Sequence, residues 1–229
     1  MPMQAAEKRK KEQEMLKESR INGIIECTFG LFAEHGIEAI SMNDIAKEAE
    51  IGVASLYRYF STKEDLAIEA AVYAWNLEIR FFRGLFESER YKAMTGFEQM
   101  KALLEVFEEA IVSQRSFFSF IYYFDSFVKA EKVSAERLSK YEQAISRVNS
   151  IMVSAIEKGK SDGSITFGGG RNSVIASASD NEIYFTMLHS LFCLSQKLAI
   201  SGELLAQDKA INPRKQIQLL INIMLEALR

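Results

Sequence analysis

The chain has 229 residues, enough to bury a sizeable core in one or two domains. Hydrophobic residues make up 48% and charged residues 26%, the proportions of a globular protein, which excludes a disordered or fibrous chain. The net charge is −3, and residues 1–63 hold nine lysines and arginines against ten acids, so bulk charge excludes a generally polybasic protein.

Two prolines and twelve glycines, with long stretches free of both, predict an all-α fold. No strong run of alternating β-branched residues speaks for strands. No apolar stretch is read as approaching the ~20 residues of a membrane span, and the charged N-terminus lacks the apolar core of a secretory signal. A cytoplasmic protein with no membrane partner is therefore expected. Cys27 and Cys193 each sit in an apolar helical pattern and read as reduced core residues. With only His35 and His189, and no Cys-rich or His-rich spacing, neither a metal nor another cofactor is expected.

In chain order, residues 1–18 form a polar extension with one dense basic run, Lys8-Arg9-Lys10-Lys11. It reads either as a solvated helical extension or as a basic arm that adds phosphate contacts. The first core-facing helix is expected over 19–35, with Ile21, Ile25, Thr28, Phe29 and Phe32 inward and Gly36 as its left-handed stop. Ser41 then caps a short helix, and Asp44 three residues on completes a capping-box pattern. Ile51 and Gly52 break the period. Val53 opens a second short helix in which Leu56 and Phe60, four apart, point inward. Ala54, Ser55, Arg58 and Tyr59 are left outside, with Tyr57 at the edge. Small residues followed by an arginine and two tyrosines suit a helix that approaches a groove closely and grips phosphates.

Ser61 or Thr62 caps a long helix with Glu64 and Asp65 in its first turn, running through Trp75, Phe81, Phe82 and Phe86. A helix over 97–113 follows. Seven of the thirteen residues over 115–127 are aromatic, which fits a central core helix or the wall of a ligand cavity. The candidate lining is Trp75, Phe107, Phe120, Phe124, Tyr141, Tyr184 and His189, with Asp125 as a further polar group near a cationic ligand. Ser134 is expected to cap the next long helix, which stops near Gly159–Gly163. The glycines at 168–170 lack a preceding strand and a following Gly-Lys-Ser/Thr, so they do not read as a nucleotide loop. Two helices close the chain, over about 172–200 and 213–228, the second opened by Asn212-Pro213. Both carry apolar residues on two faces. They read either as a more enclosed packing within one chain or as a homodimer interface, and a homodimer is expected through Leu188, Leu191, Phe192, Ile217, Leu220, Ile221 and Met224.

The segment over 24–66 carries a resemblance. Its first helix closed by Gly36, the pair Ile45-Ala46, and above all Leu56-Tyr57-Arg58-Tyr59-Phe60 followed by Ser61-Thr62-Lys63-Glu64-Asp65-Leu66 resemble the DNA-binding domain of the TetR family of transcriptional regulators. The chain departs from that pattern at Glu50, where the family usually has glycine, and at Ala54-Ser55, where it has Gly-Thr. The resemblance implies a three-helix, helix-turn-helix DNA-binding domain at 19–66 and a larger helical ligand-binding and dimerisation domain at 67–229. It implies that Val53, Ala54, Ser55 and Arg58, joined by Asn43, face base edges. Ser41, Tyr57, Tyr59 and Lys63 would contact phosphates. The implied partners are a double-stranded DNA operator, a second copy of the chain and a small apolar or aromatic effector. Two other classes stay open: a helical enzyme with a hydrophobic substrate, against which no nucleophile–base arrangement stands out, and a helical adaptor without DNA binding.

Overall fold

The computed structural model describes residues 2–167, 177–202 and 204–229, and among them the chain is helical throughout, with no strand. The helices are α1 (Pro2–His35), α2 (Met42–Glu48), α3 (Val53–Tyr59), α4 (Lys63–Phe86), α5 (Glu89–Ala93), α6 (Gly96–Ser113), α7 (Arg115–Ala130), α8 (Ser139–Asp162), α9 (Asp180–Ser201), α10 (Ala206–Lys209) and α11 (Pro213–Leu228). They divide into two compact units, Met1–Ala74 with Tyr123–Tyr141, and Trp75–Tyr122 with Glu142–Arg229. The first unit thus runs past the boundary expected after residue 66 and takes in a later segment. The glycines at 168–170, and the expected start of a helix near 172, lie outside the described residues.

In the first unit α1 is one helix of 34 residues, so the polar extension is helical and continuous with the core-facing part. Its side chains over 7–20 are all exposed; burial begins where the apolar stripe does, at Ile24, Ile25 and Phe32. Gly36, at φ 82, ends it by the left-handed stop the sequence suggests. Ser41 caps α2 in a full capping box: its backbone N–H donates to Asp44 Oδ2 (2.9 Å), and the Asp44 N–H donates back to Ser41 Oγ (3.2 Å). Phe32, Ile37, Ile45, Leu56 and Leu66 are all fully buried in this unit, a core to which α1, the short helices and the start of α4 each contribute. Thr62 caps α4, accepting from the Asp65 N–H at 3.1 Å, and Arg137 reaches Asp65 at 2.9 Å within the same unit.

The second unit has its core at Met100, Leu104, Phe118, Phe120, Ile156 and Tyr184. Thr95 and Glu98 box the start of α6, where Gly96 lies so close to Gly159 of α8 that an added Cβ would sit 1.9 Å from the Gly159 nitrogen. Ser134 does not cap α8. Its carbonyl accepts from Arg137 in a turn, and the helix proper starts at Ser139. A box of Ser179 and Glu182 starts α9 at Asp180, and Asn212 caps α11 with Pro213 in the first turn. α11 packs on α6 and α9, and Arg214 clamps it to α6 through Glu108 (2.8 Å) and Glu109 (3.2 Å).

Two sequence expectations are corrected here. By length and hydropathy the 22-residue α9 is apolar enough to cross a membrane; Ile183, Tyr184, Met187, Leu188 and Leu191 on one side of it are buried in the second unit, and about a third of the apolar span is buried in all. Cys193 is exposed and Cys27 half-buried, so neither is a fully enclosed core residue.

The turn between α2 and α3 carries a testable strain. Glu50 sits at φ 52, its N–H donating to Lys47 O (3.2 Å) while the Ile51 N–H donates to Ala46 O (2.9 Å). This is a Schellman stop with a glutamate at the left-handed position where glycine is least strained. Glu50→Gly is expected to stabilise the protein by about 0.5–1 kcal/mol. In thermal melts that is a rise of roughly 1–4 °C. An unchanged or lower midpoint would contradict the strain.

Candidate functional site

The α2–turn–α3 unit fixes an outward surface. On α3 the one buried residue is Leu56, with Phe60 buried just beyond its end, so the period that seats the helix turns Ala54, Tyr57 and Arg58 outward. Ser41 and Asn43 are exposed at the start of α2; Val53, Ser55 and Tyr59 are half-buried. These expected contact residues therefore share one region around the two short helices. The Arg58 guanidinium lies 5.6 Å from the Tyr59 ring. Desolvation works against it, but hydrogen bonds and charge from Arg20 and Arg58 hold the Tyr59 phenol below its usual pKa. Arg20 thus joins this surface from α1. The sequence reading overlooked it, because a single arginine at the end of a mixed-charge run gives no signal without the fold.

Lys63 sits differently from the role the resemblance implies. Its ammonium donates to the Glu38 carbonyl at 3.4 Å and lies 6.0 Å from the Phe127 ring. Partial burial lowers its pKa against several nearby carboxylates. A phosphate contact from Lys63 requires it to leave that carbonyl.

The second unit holds an aromatic cavity. Its walls are Trp75, Glu78, Ile79 and Phe82 of α4, Leu103 and Phe107 of α6, Phe117 of α7, Met152 of α8, and Leu188 and Phe192 of α9. Trp75 stacks on Phe192 with ring centres 5.7 Å apart, and Phe117 meets Trp75 edge-on at 5.2 Å. Trp75 and Phe107 are where the sequence reading puts them. The other candidates are not in this wall. Phe120 is fully buried core, and the Tyr184 hydroxyl donates to Asn149. Phe124 and Tyr141 belong to the first unit, with ring centres 4.8 Å apart. His189 is exposed beside Phe185, and Asp125 is exposed in the first unit.

Glu78 is the residue the sequence reading missed. It is 4% exposed, and its Oε1, like the Trp75 indole nitrogen, has no hydrogen-bond partner among the described residues. Desolvation pushes its carboxyl up to about 8. Its signal was its spacing: it lies three residues after Trp75 and four before Phe82, on the apolar stripe of α4.

The expected dimer residues divide in a similar way. Leu188, Leu191, Ile217, Ile221 and Met224 are buried within the chain, and Leu220 and Phe192 are half-buried. The stripe chosen from periodicity is the one that packs inward. The apolar residues left outside are Leu219 (62% exposed) and Ile223 (55%) on α11, and Phe185 (41%) on α9.

Residues 24–70 match the family model for bacterial regulatory proteins of the tetR family. The HTH-type transcriptional regulator SAB2452 of Staphylococcus aureus is 38% identical over 82 residues, 36% of this chain and 42% of that protein, so the match spans under half of that relative's length. A transcriptional regulator from Saccharomonospora viridis, solved in complex with choline, is 19% identical, with a TM-score of 0.62 over 90% of this chain and 96% of that one. The TetR-family repressor FadR of Thermus thermophilus, solved in complex with lauroyl-CoA, is 14% identical, with a TM-score of 0.57 over 91% and 95%. At those identities the likeness to the solved structures is one of fold. Two short helices, the first capped by Ser41 and the second turned outward, form a helix-turn-helix unit within residues 24–70. The N-terminal segment over 24–70 is thus similar in sequence to bacterial regulatory proteins of the tetR family, and the fold of the chain is that of solved regulators of that kind.

The buried carboxyl makes stability depend on pH. Glu78 keeps its proton in the fold up to about pH 8, whereas the unfolded chain loses it near the ordinary glutamate value of 4.5. The unfolded state therefore binds fewer protons between those values, and stability falls as pH rises through that window. Glu78→Gln should match the parent at pH 4.5 and exceed it at pH 7 by on the order of 3 kcal/mol. Denaturation curves at the two pH values check this; parallel behaviour of the two proteins would contradict it.

Proposed function

We propose that the protein is a dimeric, ligand-responsive transcriptional repressor that binds a palindromic DNA operator and leaves it when a small apolar effector binds. The observation that carries this reading is the outward face of α3, where Tyr57 and Arg58 project from a helix seated by Leu56 alone. A helix so presented suits a major groove, with Arg58 on a guanine edge and Tyr57, Tyr59 and Arg20 on the phosphates. At the exposed start of α2, Ser41 adds a phosphate contact and Asn43 faces base edges beside Arg58.

A palindrome calls for two recognition helices about 34 Å apart, hence a dimer. The exposed Leu219 and Ile223 supply an apolar strip of the kind a second copy would cover. The cavity of the second unit supports the effector role, and α4 contributes residues to both units. The solved relatives hold chemically unlike ligands, an acyl-CoA and choline, so the shared fold does not choose the effector.

Gel shifts with the DNA upstream of the chain's own coding sequence test the reading. The parent should bind that DNA in preference to random duplex. Arg58→Ala should narrow the gap between the two by roughly 1–3 kcal/mol. Arg20→Ala should weaken both alike and lower the salt slope by about one. Equal losses on both DNAs for Arg58→Ala would reduce it to a phosphate grip, and no preference in the parent would sink the operator itself.

Sedimentation checks the dimer. Leu219→Glu with Ile223→Glu alters two exposed positions, so the fold should survive and the species should become monomeric. An unchanged dimer would place the interface elsewhere.

A further inference from the structure

The aromatic cavity of the second unit contains one polar pair that no described residue satisfies. Glu78 Oε1 and the Trp75 indole nitrogen are both buried and both lack a hydrogen-bond partner among the described residues. Orphaned groups of this kind are uncommon, because each costs the desolvation of a polar atom without the return of a bond. They sit in one wall, three residues apart on α4, and both residues line the same space.

That space is otherwise aromatic and aliphatic. Trp75, Phe107, Phe117 and Phe192 present ring surface to it, and among the described residues α6, α7, α8 and α9 turn no charged side chain toward it. The shift at Glu78 has the same origin, since desolvation is its whole cause and no neighbouring charge contributes. A bound anion would find no cation there and would meet a carboxyl. A neutral polar head would find only one carboxyl and one indole N–H. A cation would find a carboxylate and several π faces, each attractive to positive charge. An ionised carboxylate alone in such a setting is too costly to persist, so it forms when a counter-charge arrives.

We propose that the cavity is a site for a lipophilic organic cation, an amine or quaternary ammonium whose charged head pairs with Glu78 among the rings of Trp75, Phe107, Phe117 and Phe192. This deepens the effector-binding reading above and rests on it. The space open to the centre of a water molecule is about 30 Å³, so the empty site is nearly closed and the ligand must part its walls to enter. Parting them moves α4 against α8 or α9 within this unit, which is the kind of displacement an effector needs to produce.

The pairing leaves a distinctive trace. In the empty protein Glu78 holds its proton below about pH 8. A permanent cation ionises it, so binding at pH 7 releases about one proton to the buffer. Among the described residues Glu78 is the one titratable side chain that lines the space. Affinity should then rise by about tenfold per pH unit between pH 6 and 8 and level off above.

Three probes of equal tail length separate the alternatives: octyltrimethylammonium, 1-octanol and octanoate. Trp75 is the only tryptophan, so its fluorescence reports on each titration. The cation should bind at least roughly tenfold more tightly than the alcohol at pH 8. Calorimetry in two buffers of different ionisation heat should show the released proton. Glu78→Gln keeps the shape of the site; it should lose the cation's advantage and its pH slope while keeping octanol affinity. The inference is overturned, with the effector reading intact, if octanol or octanoate binds as well as the cation, or if Glu78→Gln leaves cation binding and proton release unchanged. Silence of the tryptophan toward all three probes, with no effect on DNA binding, overturns both.

Discussion

Because every described element is a helix, backbone hydrogen bonds close within each element and only side-chain faces decide what packs against what. Each unit meets this constraint with one-sided apolar stripes. In the first, Phe32, Ile45, Leu56 and Leu66 are fully buried; in the second, Met100, Leu104, Phe118 and Phe120 are. The residues that break the rule carry the functional argument. Tyr57 and Arg58 point away from a helix held by one leucine. Leu219 and Ile223 are apolar and uncovered. Glu78 is an acid on an inward stripe.

The helix-turn-helix unit shows how far local chemistry alone can place a surface. The Ser41–Asp44 box fixes where α2 begins, the left-handed Glu50 fixes where it ends, and Leu56 fixes how α3 is rotated. All three lie within residues 24–70, the stretch that matches a family model. The second unit has no such local determinants at its cavity. Its walls come from five helices, and their meeting is a tertiary fact.

That difference explains what could be read from the sequence. The all-helical class, the stop at Gly36, the cap at Ser41, the start of α11 at Asn212-Pro213 and the outward residues of α3 all follow from local signals. The extension of α1 back to Pro2 did not, because interleaved Glu and Lys give no apolar period. The Ser179–Glu182 box that opens α9 is a local signal the sequence reading passed over. Aromatic content suggested the cavity, but content cannot separate Trp75, which lines it, from Phe120, which is sealed in the core. Two apolar faces on α11 suggested a dimer, yet periodicity does not say which face the chain keeps for itself. Glu78 was passed over because an acid is assumed to face water.

The central claim is that one protein couples an occupied cavity to DNA affinity. Coupling between two sites is reciprocal: the factor by which an effector weakens DNA binding must equal the factor by which DNA weakens effector binding. The most direct test titrates the effector into the protein with and without saturating operator, following Trp75, and compares the ratio of affinities with the shift in operator affinity measured by anisotropy of labelled DNA. The account predicts the same factor in both directions. Effector affinity that is indifferent to bound operator, in a protein that binds both, would contradict it.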